Sequence, residues 1–394
     1  MNPQVDKWTE LERGLRRGLA GEIMTTDEAR ALTAASGATA SAVLRAAREV
    51  RERAKGRVVT FSKKIFIPLT NLCRDYCGYC TFRRDPGQPG ARTMTPDEVL
   101  ELAAAGAKLG CKEALFSLGD KPEVIFPEMR ETLRRLGHRS TLSYLIEMCG
   151  RVLNETGLLP HANPGLMTRQ VLERLRPFNA SAGLMVESVS RRLCSPGAAH
   201  DRAPDKLPDR RLQTIAEAGR LRMPFTTGLL IGIGETAAER ADSLLAIREL
   251  HERYGHIQEV IIQNFRAKPE IPMRNHPEPD PQEFLLTIAA ARLILGPEIN
   301  LQAPPNLSAK DYAALLDAGL NDWGGISPLT IDHINPEAPW PQIEALRERT
   351  AAAGFTLRER LSIYPEFIRN PGFIHEALLP RIAALADSEG YAIA

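Results

Sequence analysis

The sequence has no apolar run long enough to cross a membrane, and its charged first 22 residues hold no apolar core of signal-peptide length. Neither charge sign dominates. Lys and Arg number 50 and Asp and Glu 49, so no bulk field draws the chain to nucleic acid or anionic lipid. Arg134-Arg135 and Arg210-Arg211 lie among acids on expected helices and read as solvated faces. Six cysteines in 394 residues are too few for a disulfide scaffold. Solenoid-length repeats and low-complexity tracts are also missing. These absences lead us to expect a cytoplasmic protein with no membrane or nucleic-acid partner. The 43% hydrophobic content suffices for a real core, and the length suits two or three average domains or one large barrel.

Residues 1–57 read as a helical N-terminal extension, with helices starting at Thr25-Thr26-Asp27-Glu28 and running over 41–53. Residues 58–394 read as one larger domain ending in C-terminal helices. In it, strands are expected at 65–69, 114–118, 158–162, 180–186, 225–231, 258–263, 299–303 and 321–326. Helices are expected at 96–109, 127–136, 142–155, 168–175, 210–222, 237–254, 281–295 and 309–317, and again over 340–394. This alternation predicts an α/β fold with a parallel sheet and crossover helices. Eight units fit a closed (β/α)8 barrel of the TIM type better than a doubly wound sheet. An open, partial barrel of six units is the alternative. In either case the chemistry belongs at the C-terminal ends of the strands.

The first expected strand runs into Cys73-Arg74-Asp75-Tyr76-Cys77-Gly78-Tyr79-Cys80. Three thiolates this close can converge on one soft metal centre. A cluster held by three thiolates leaves one iron open to an outside ligand, as an open catalytic metal site does. A structural zinc site or three free thiols is the alternative. Cys111, Cys149 and Cys194 stand alone, so no second pair offers itself to zinc, and zinc gives Tyr79 no role.

Other strand ends carry polar groups. Gly119-Asp120-Lys121 follows the second strand, where glycine lets backbone approach a ligand and the charges suit a zwitterion; Gly-Asp is also a common turn. His161 ends the third strand, as a substrate group or a satisfied core histidine. Glu187 follows the fourth, as a binder of ribose hydroxyls or an amine, or as an acid at a helix start. The fifth runs through Gly228 and Ile231 to Gly232 and Gly234. These glycines permit packing against a flat ring and leave backbone N–H groups free. Asn264 and Arg266 follow the sixth strand. Asp322 and Trp323 lie in the eighth, suited to stacking on and bonding a planar heterocycle, unless the Trp only plugs the barrel end.

The CxxxCxxC pattern with Tyr79 before its last cysteine resembles the signature of the radical S-adenosylmethionine (SAM) enzymes. The resemblance implies a 4Fe–4S cluster on Cys73, Cys77 and Cys80, with the amino and carboxylate groups of SAM on the fourth iron. It implies SAM contacts at Gly119, Asp120, Lys121 and Glu187, although Asp120 stands where the related motif has a second glycine. Tyr79 and the Gly228–Ile231–Gly232 element would lie along adenine. Within the superfamily, Phe61-Ser62-Lys63-Lys64, Asn71-Leu72-Cys73, Gly78-Tyr79-Cys80-Thr81-Phe82, Thr226-Thr227-Gly228 through Glu235-Thr236, and Asn321 through Pro336 are similar to the CofG-type subunit of 7,8-didemethyl-8-hydroxy-5-deazariboflavin (FO) synthase. This likeness covers about residues 60 to 380.

That likeness implies a lyase of deazaflavin coenzyme biosynthesis. A 5′-deoxyadenosyl radical takes a hydrogen from an adduct of a hydroxybenzyl group and a ribityl-bearing uracil. Ring closure and oxidation then give FO with release of ammonia, methionine and 5′-deoxyadenosine. Asn264, Arg266, Asp322 and Trp323 are the expected substrate contacts, with Asp322 or His161 moving protons. With one CxxxCxxC in the chain, the expected partners are a separate second subunit that supplies the adduct and an external one-electron donor. A sister enzyme (the partner subunit, a menaquinone-pathway enzyme or a biotin synthase) and a non-catalytic zinc or iron–sulfur protein are the competing readings.

Overall fold

The computed structural model describes residues 3–308 and 311–393. Its strands are β1 (Val58–Thr70), β2 (Glu113–Leu118), β3 (Leu159–Asn163), β4 (Ser181–Gly183), β5 (Phe225–Ile231), β6 (Ile257–Asn264), β7 (Asn300–Gln302), β8 (Asp322–Ile326) and β9 (Thr356–Glu359). β1 to β8 pair in sequence order, all parallel, and β8 returns to β1. The barrel is therefore closed, and the six-unit alternative is excluded.

β1 is more than twice as long as expected because Ser62 and Lys64 are polar yet buried. Both point at Glu113 of β2, Lys64 Nζ at 2.7 Å and Ser62 through its hydroxyl. An interior ion pair hides the hydrophobic alternation that identifies a strand. The lower part of β1 pairs with β8 and β9, and the upper part with β2.

β9 corrects the expectation of an all-helical end. Helix Ile343–Ala352 comes first, then β9 adds to the sheet beside β1. Of Thr356-Leu357-Arg358-Glu359 only Leu357 is buried, so nothing local marks a strand. The chain then crosses the N-terminal end of the barrel. Arg360 reaches Glu259 of β6 and Asp322 of β8, while the Ser362 carbonyl accepts from Ser181 of β4 and Gln258 of β6. Leu361, Ile363, Tyr364, Phe367 and Phe373 form a second apolar cluster with Leu159 and Ala180 beneath the barrel.

The N-terminal helices Pro3–Ala20, Thr26–Thr33 and Gly37–Lys55 pack on helices Ala237–Tyr254 and Pro281–Leu295. Leu32, Val43 and Val50 join the main core. Helix Pro281–Leu295 is buried on nearly every side from Leu286 onward, being wedged between barrel and extension. The Arg51 guanidinium donates to the carbonyls of Gly56, Val58 and Leu320, which ties the extension to the starts of β1 and β8. Capping boxes start the helices after Thr25, Thr95 and Thr236. The helix expected from residue 309 begins at Tyr312; Ala309 and Lys310 lie outside the described residues. Among those residues no helix is long and apolar enough to cross a membrane.

Candidate active site

The cysteine loop leaves β1 and lies directly on the end of β2. The Gly119 N–H donates to Thr70 O at 2.9 Å, and the Arg74 N–H to Asp120 O at 3.1 Å. A side chain at Gly119 would collide with the Leu72 carbonyl oxygen, so only glycine permits this approach. From the other side, Tyr76 and Gly78 donate to the carbonyls of Arg202 and Ala199 in the long loop after β4. Held this way, Cys73, Cys77 and Cys80 line one cavity of about 270 Å³, and none of the three forms a disulfide.

The Cys73 Sγ accepts the N–H groups of Asp75 (3.4 Å) and Asp120 (3.2 Å). Burial pushes the Cys73 thiol up to about 12 and the Cys77 thiol well above its ordinary 9.0. Thiols this buried ionise only beside a strong cation in the cavity. Among the described residues, no histidine or fourth cysteine lines it, so zinc lacks its usual fourth nitrogen or sulfur ligand. Three converging thiols with N–H donors already aimed at sulfur fit an iron–sulfur cluster with one open iron.

Glu187 organises the wall beside the loop. It follows β4 with φ +64°, a left-handed conformation that is unusual for a side chain of this size. Its carboxylate accepts from Tyr79 Oη, from Lys206 Nζ and, at 3.0 Å, lies beside His200 Nε2. The Arg211 guanidinium stands 3.6 Å away. Burial works against the charge, but Lys206, His200 and Arg211 together hold the carboxyl well below its usual range. On the acidic side, carboxylate oxygens of Asp75, Asp120 and Asp205 lie within 4.8 Å of one another. Arg74 and Lys121 answer two of them. Burial pushes Asp75 up to about 6. The cavity thus presents both charge signs beside the three thiols.

Beneath it lies a second chamber of about 190 Å³ inside the barrel. Ser117, Asn163, Met185, Gln263, Ile334 and Asn335 line both spaces, so the two communicate. The lower chamber holds the Lys64–Glu113 pair, His161, Glu259 and Arg360. Its aromatic wall is Trp340 stacked on Phe66, with ring centroids 5.0 Å apart and planes 8° apart. Trp340 Nε1, His333 Nε2 and Ser362 Oγ are buried there without a partner, as is Asn264 Oδ1 in the upper cavity. Orphaned polar atoms around a concave space mark a site that receives a polar ligand.

Of the residues singled out from sequence, Cys73, Cys77, Cys80, Tyr79, Gly119, Asp120, Glu187, Asn264 and Arg266 line the upper cavity, and His161 the lower chamber. Arg266 sits at the rim, paired with Glu278 at 2.9 Å. Lys121 stands behind the lining, on Asp120 and Asp205.

Five residues fall elsewhere. Gly228 faces the β6 backbone, where any side chain would strike Ile261 O. Ile231 is fully buried in the helical layer, and its neighbour Leu230 faces the cavity instead. The Gly232 and Ile233 N–H groups are not free, because the Glu235 carboxylate takes both, at 2.8 and 2.9 Å. Asp322 opens β8 at the bottom of the barrel, locked to Arg360 at 2.7 Å and to Thr60. Trp323 points outward, packing on Tyr312 and donating to Thr350 Oγ1 at 3.1 Å. One fact explains both positions: Asp322 and Trp323 begin β8, so they lie at the end of the barrel away from the cavity.

Sequence reasoning missed His200, Lys206, Arg211, Trp340 and Arg360. The first two lie in the long loop after β4, where position after a strand is a signal but residue type is not.

A family model for the radical SAM superfamily matches residues 67–247. A relative from Methanopyrus kandleri, 7,8-didemethyl-8-hydroxy-5-deazariboflavin synthase, is 50% identical over 335 residues, covering 85% of this chain and all of the relative. The FO synthase of Streptomyces avermitilis is 50% identical over 388 residues, 96% of this chain but 45% of that protein. The chain thus spans about half the length of such relatives. Among solved structures, the FeFe-hydrogenase maturase HydG of Carboxydothermus hydrogenoformans superposes with a TM-score of 0.72 at 19% identity, covering 95% of this chain and 88% of that one. Methylornithine synthase superposes at 0.68 and 19%, covering 87% and 97%. These two show a shared barrel fold, and the kinship over the whole Methanopyrus sequence shows the family: the chain belongs to the radical SAM superfamily and, within it, to the FO synthase family of CofG type.

Proposed function

We propose that this chain forms the deazaflavin ring of FO. Its substrate would be 5-amino-5-(4-hydroxybenzyl)-6-(D-ribitylimino)-5,6-dihydrouracil, and its products FO, ammonia, methionine and 5′-deoxyadenosine. The match to the Methanopyrus relative over that protein's full length carries the reading. The geometry supports it. Cys73, Cys77 and Cys80 would hold the cluster at the top of the cavity. When bound there, the cluster and SAM supply a 5′-deoxyadenosyl radical once an external donor provides one electron. Glu187, through Tyr79, Lys206 and His200, fixes the wall of the SAM cavity. Asp75 and Asp120 offer acceptors to a ligand amine, while Lys206 and Arg211 offset a carboxylate. The lower chamber has an aromatic wall for a heterocycle and amides (Asn163, Gln263, Gln302) for a polyol. The protein positions the substrate and excludes competing reactions, and the cofactor carries the radical chemistry.

A second radical SAM site supplies the adduct, since this chain carries one CxxxCxxC. The test is anaerobic incubation of the reconstituted, reduced protein with SAM and the adduct. FO fluorescence with released ammonia is expected. Efficient turnover of tyrosine without the adduct would assign the chain to the partner reaction instead.

A further inference from the structure

His161 projects from β3 into the lower chamber and is 5% exposed. Its Nδ1 lies 2.7 Å from Ser181 Oγ on β4. That hydroxyl in turn lies 2.6 Å from the carbonyl oxygen of Ser362. A carbonyl only accepts, so the single proton of Ser181 goes to Ser362. The Ser181 oxygen then has only a lone pair to offer His161, and Nδ1 must be the nitrogen that carries hydrogen. Burial pushes the imidazolium down to about 4, so the ring is neutral at working pH. Nε2 is therefore left with its lone pair.

No described residue hydrogen-bonds that Nε2. Gly183 on β4 makes room for it, since a β-carbon there would stand 2.8 Å away. The charged groups nearby are already matched: Lys64 with Glu113, and Arg360 with Glu259 and Asp322. The Ser362 carbonyl belongs to the segment that closes the barrel floor and also receives Gln258 Nε2 at 3.1 Å. So β3, β4 and the C-terminal crossing together hold one acceptor open in a chamber whose other charges are spoken for.

We propose, on the reading of this chamber as the substrate site, that His161 Nε2 accepts a hydrogen bond from an N–H or O–H of the substrate, in a tautomer imposed by Ser181 and the Ser362 carbonyl. The ligand class is a neutral heterocycle bearing ring N–H or polyol hydroxyls. His161 is a substrate-reading residue, and Ser181 positions it.

The test compares His161→Phe, His161→Gln and Ser181→Ala in the reconstituted holoenzyme. Two readouts are taken: 5′-deoxyadenosine released without substrate, and kcat and KM for FO formation from the adduct. All three variants should cleave SAM within twofold of wild type, because no cavity-lining group of the cluster loop changes. His161→Phe should lose about tenfold or more in kcat/KM, the size of one buried hydrogen bond to substrate. His161→Gln, whose Oε1 can stand in for Nε2, should recover a large part of it. Ser181→Ala should fall between, because the ring loses the partner that fixes its tautomer while Ser362 keeps Gln258. A kcat/KM for His161→Phe within twofold of wild type overturns the proposal. So does an equal loss in His161→Gln and His161→Phe that tracks a common fall in melting temperature. Wild-type protein that cleaves SAM but makes no FO from the adduct contradicts the assigned function instead, and is read in the same experiment.

Discussion

Removing the Glu187 carboxylate should destabilise the protein and loosen the SAM cavity together. In Glu187→Ala, Lys206 and Arg211 stay buried, with side chains 14% and 4% exposed, and lose their shared counter-charge. Deleting one member of a buried ion pair costs about 3–5 kcal/mol. At about 2 °C per kcal/mol for a chain of this size, the melting temperature should fall by about 6–10 °C. Glu187 also has φ +64°, where a β-carbon costs about 1–2 kcal/mol. Glu187→Gly should therefore be more stable than Glu187→Ala by about 1 kcal/mol, although it removes the same contacts. Glu187→Gln keeps the shape and one acceptor and should fall between wild type and alanine.

The pH dependence adds a sign. The folded carboxyl is held well below its ordinary 4.5. Its stabilisation is then fully present above the unfolded value and is lost only as pH falls through the folded one. Across pH 5–8 the gap between wild type and Glu187→Ala should be flat. Thermal melts of the holoenzyme, with SAM affinity measured alongside, check all of this. A Glu187→Ala melt within 2 °C of wild type, or Glu187→Gly no more stable than Glu187→Ala, would refute the reasoning.

Four further outcomes follow from the same geometry. Cys77→Ala should lose iron, sulfide and SAM cleavage while its circular dichroism stays native, because Cys77 belongs to a loop and not to the main apolar core. Gly119→Ala should fail to hold a cluster despite three intact cysteines, since the new methyl displaces the Leu72 carbonyl; normal reconstitution would show that the loop is not seated on β2 as described. Trp340→Ala should raise KM for the adduct about tenfold with SAM cleavage unchanged, whereas Trp323→Ala should cost about 3–5 kcal/mol of stability, as for other large core truncations. Burial pushes His256 down to about 3. Between pH 6.5 and that value the unfolded chain binds one more proton there, so stability falls with falling pH by up to about 1.4 kcal/mol per unit. In His256→Phe the acid limb of a stability–pH curve should be shallower by that one proton.

The barrel was legible because short apolar runs such as Leu229–Ile231 and Val260–Ile262 recur between helical segments, as in buried parallel strands. β9 was not, since its stability comes from pairing with β1 rather than from its own side chains. The metal-binding part of the site was legible for a different reason: three cysteines within eight residues are a local signal. Partners brought in by topology leave no such trace. Glu187 was visible at a strand end, but nothing near it in sequence announces that Tyr79, 108 residues away, bonds to it. Trp340 opens the stretch expected to be helical, yet it precedes the helix and forms the aromatic wall of the lower chamber. The reverse happened at Trp323, where a Trp beside Asp and glycines suggested a ligand. Strand alternation turns that side chain to the helices and leaves Asp322 to pair with Arg360.

The most direct test of the central claim is the fate of deuterium from an adduct fully deuterated at its carbon-bound positions. With reduced holoenzyme and SAM, the account predicts FO and 5′-deoxyadenosine in equal amounts, with deuterium in the 5′-deoxyadenosine, and neither product from Cys80→Ala. FO formed without 5′-deoxyadenosine, or 5′-deoxyadenosine free of deuterium while FO accumulates, would contradict it.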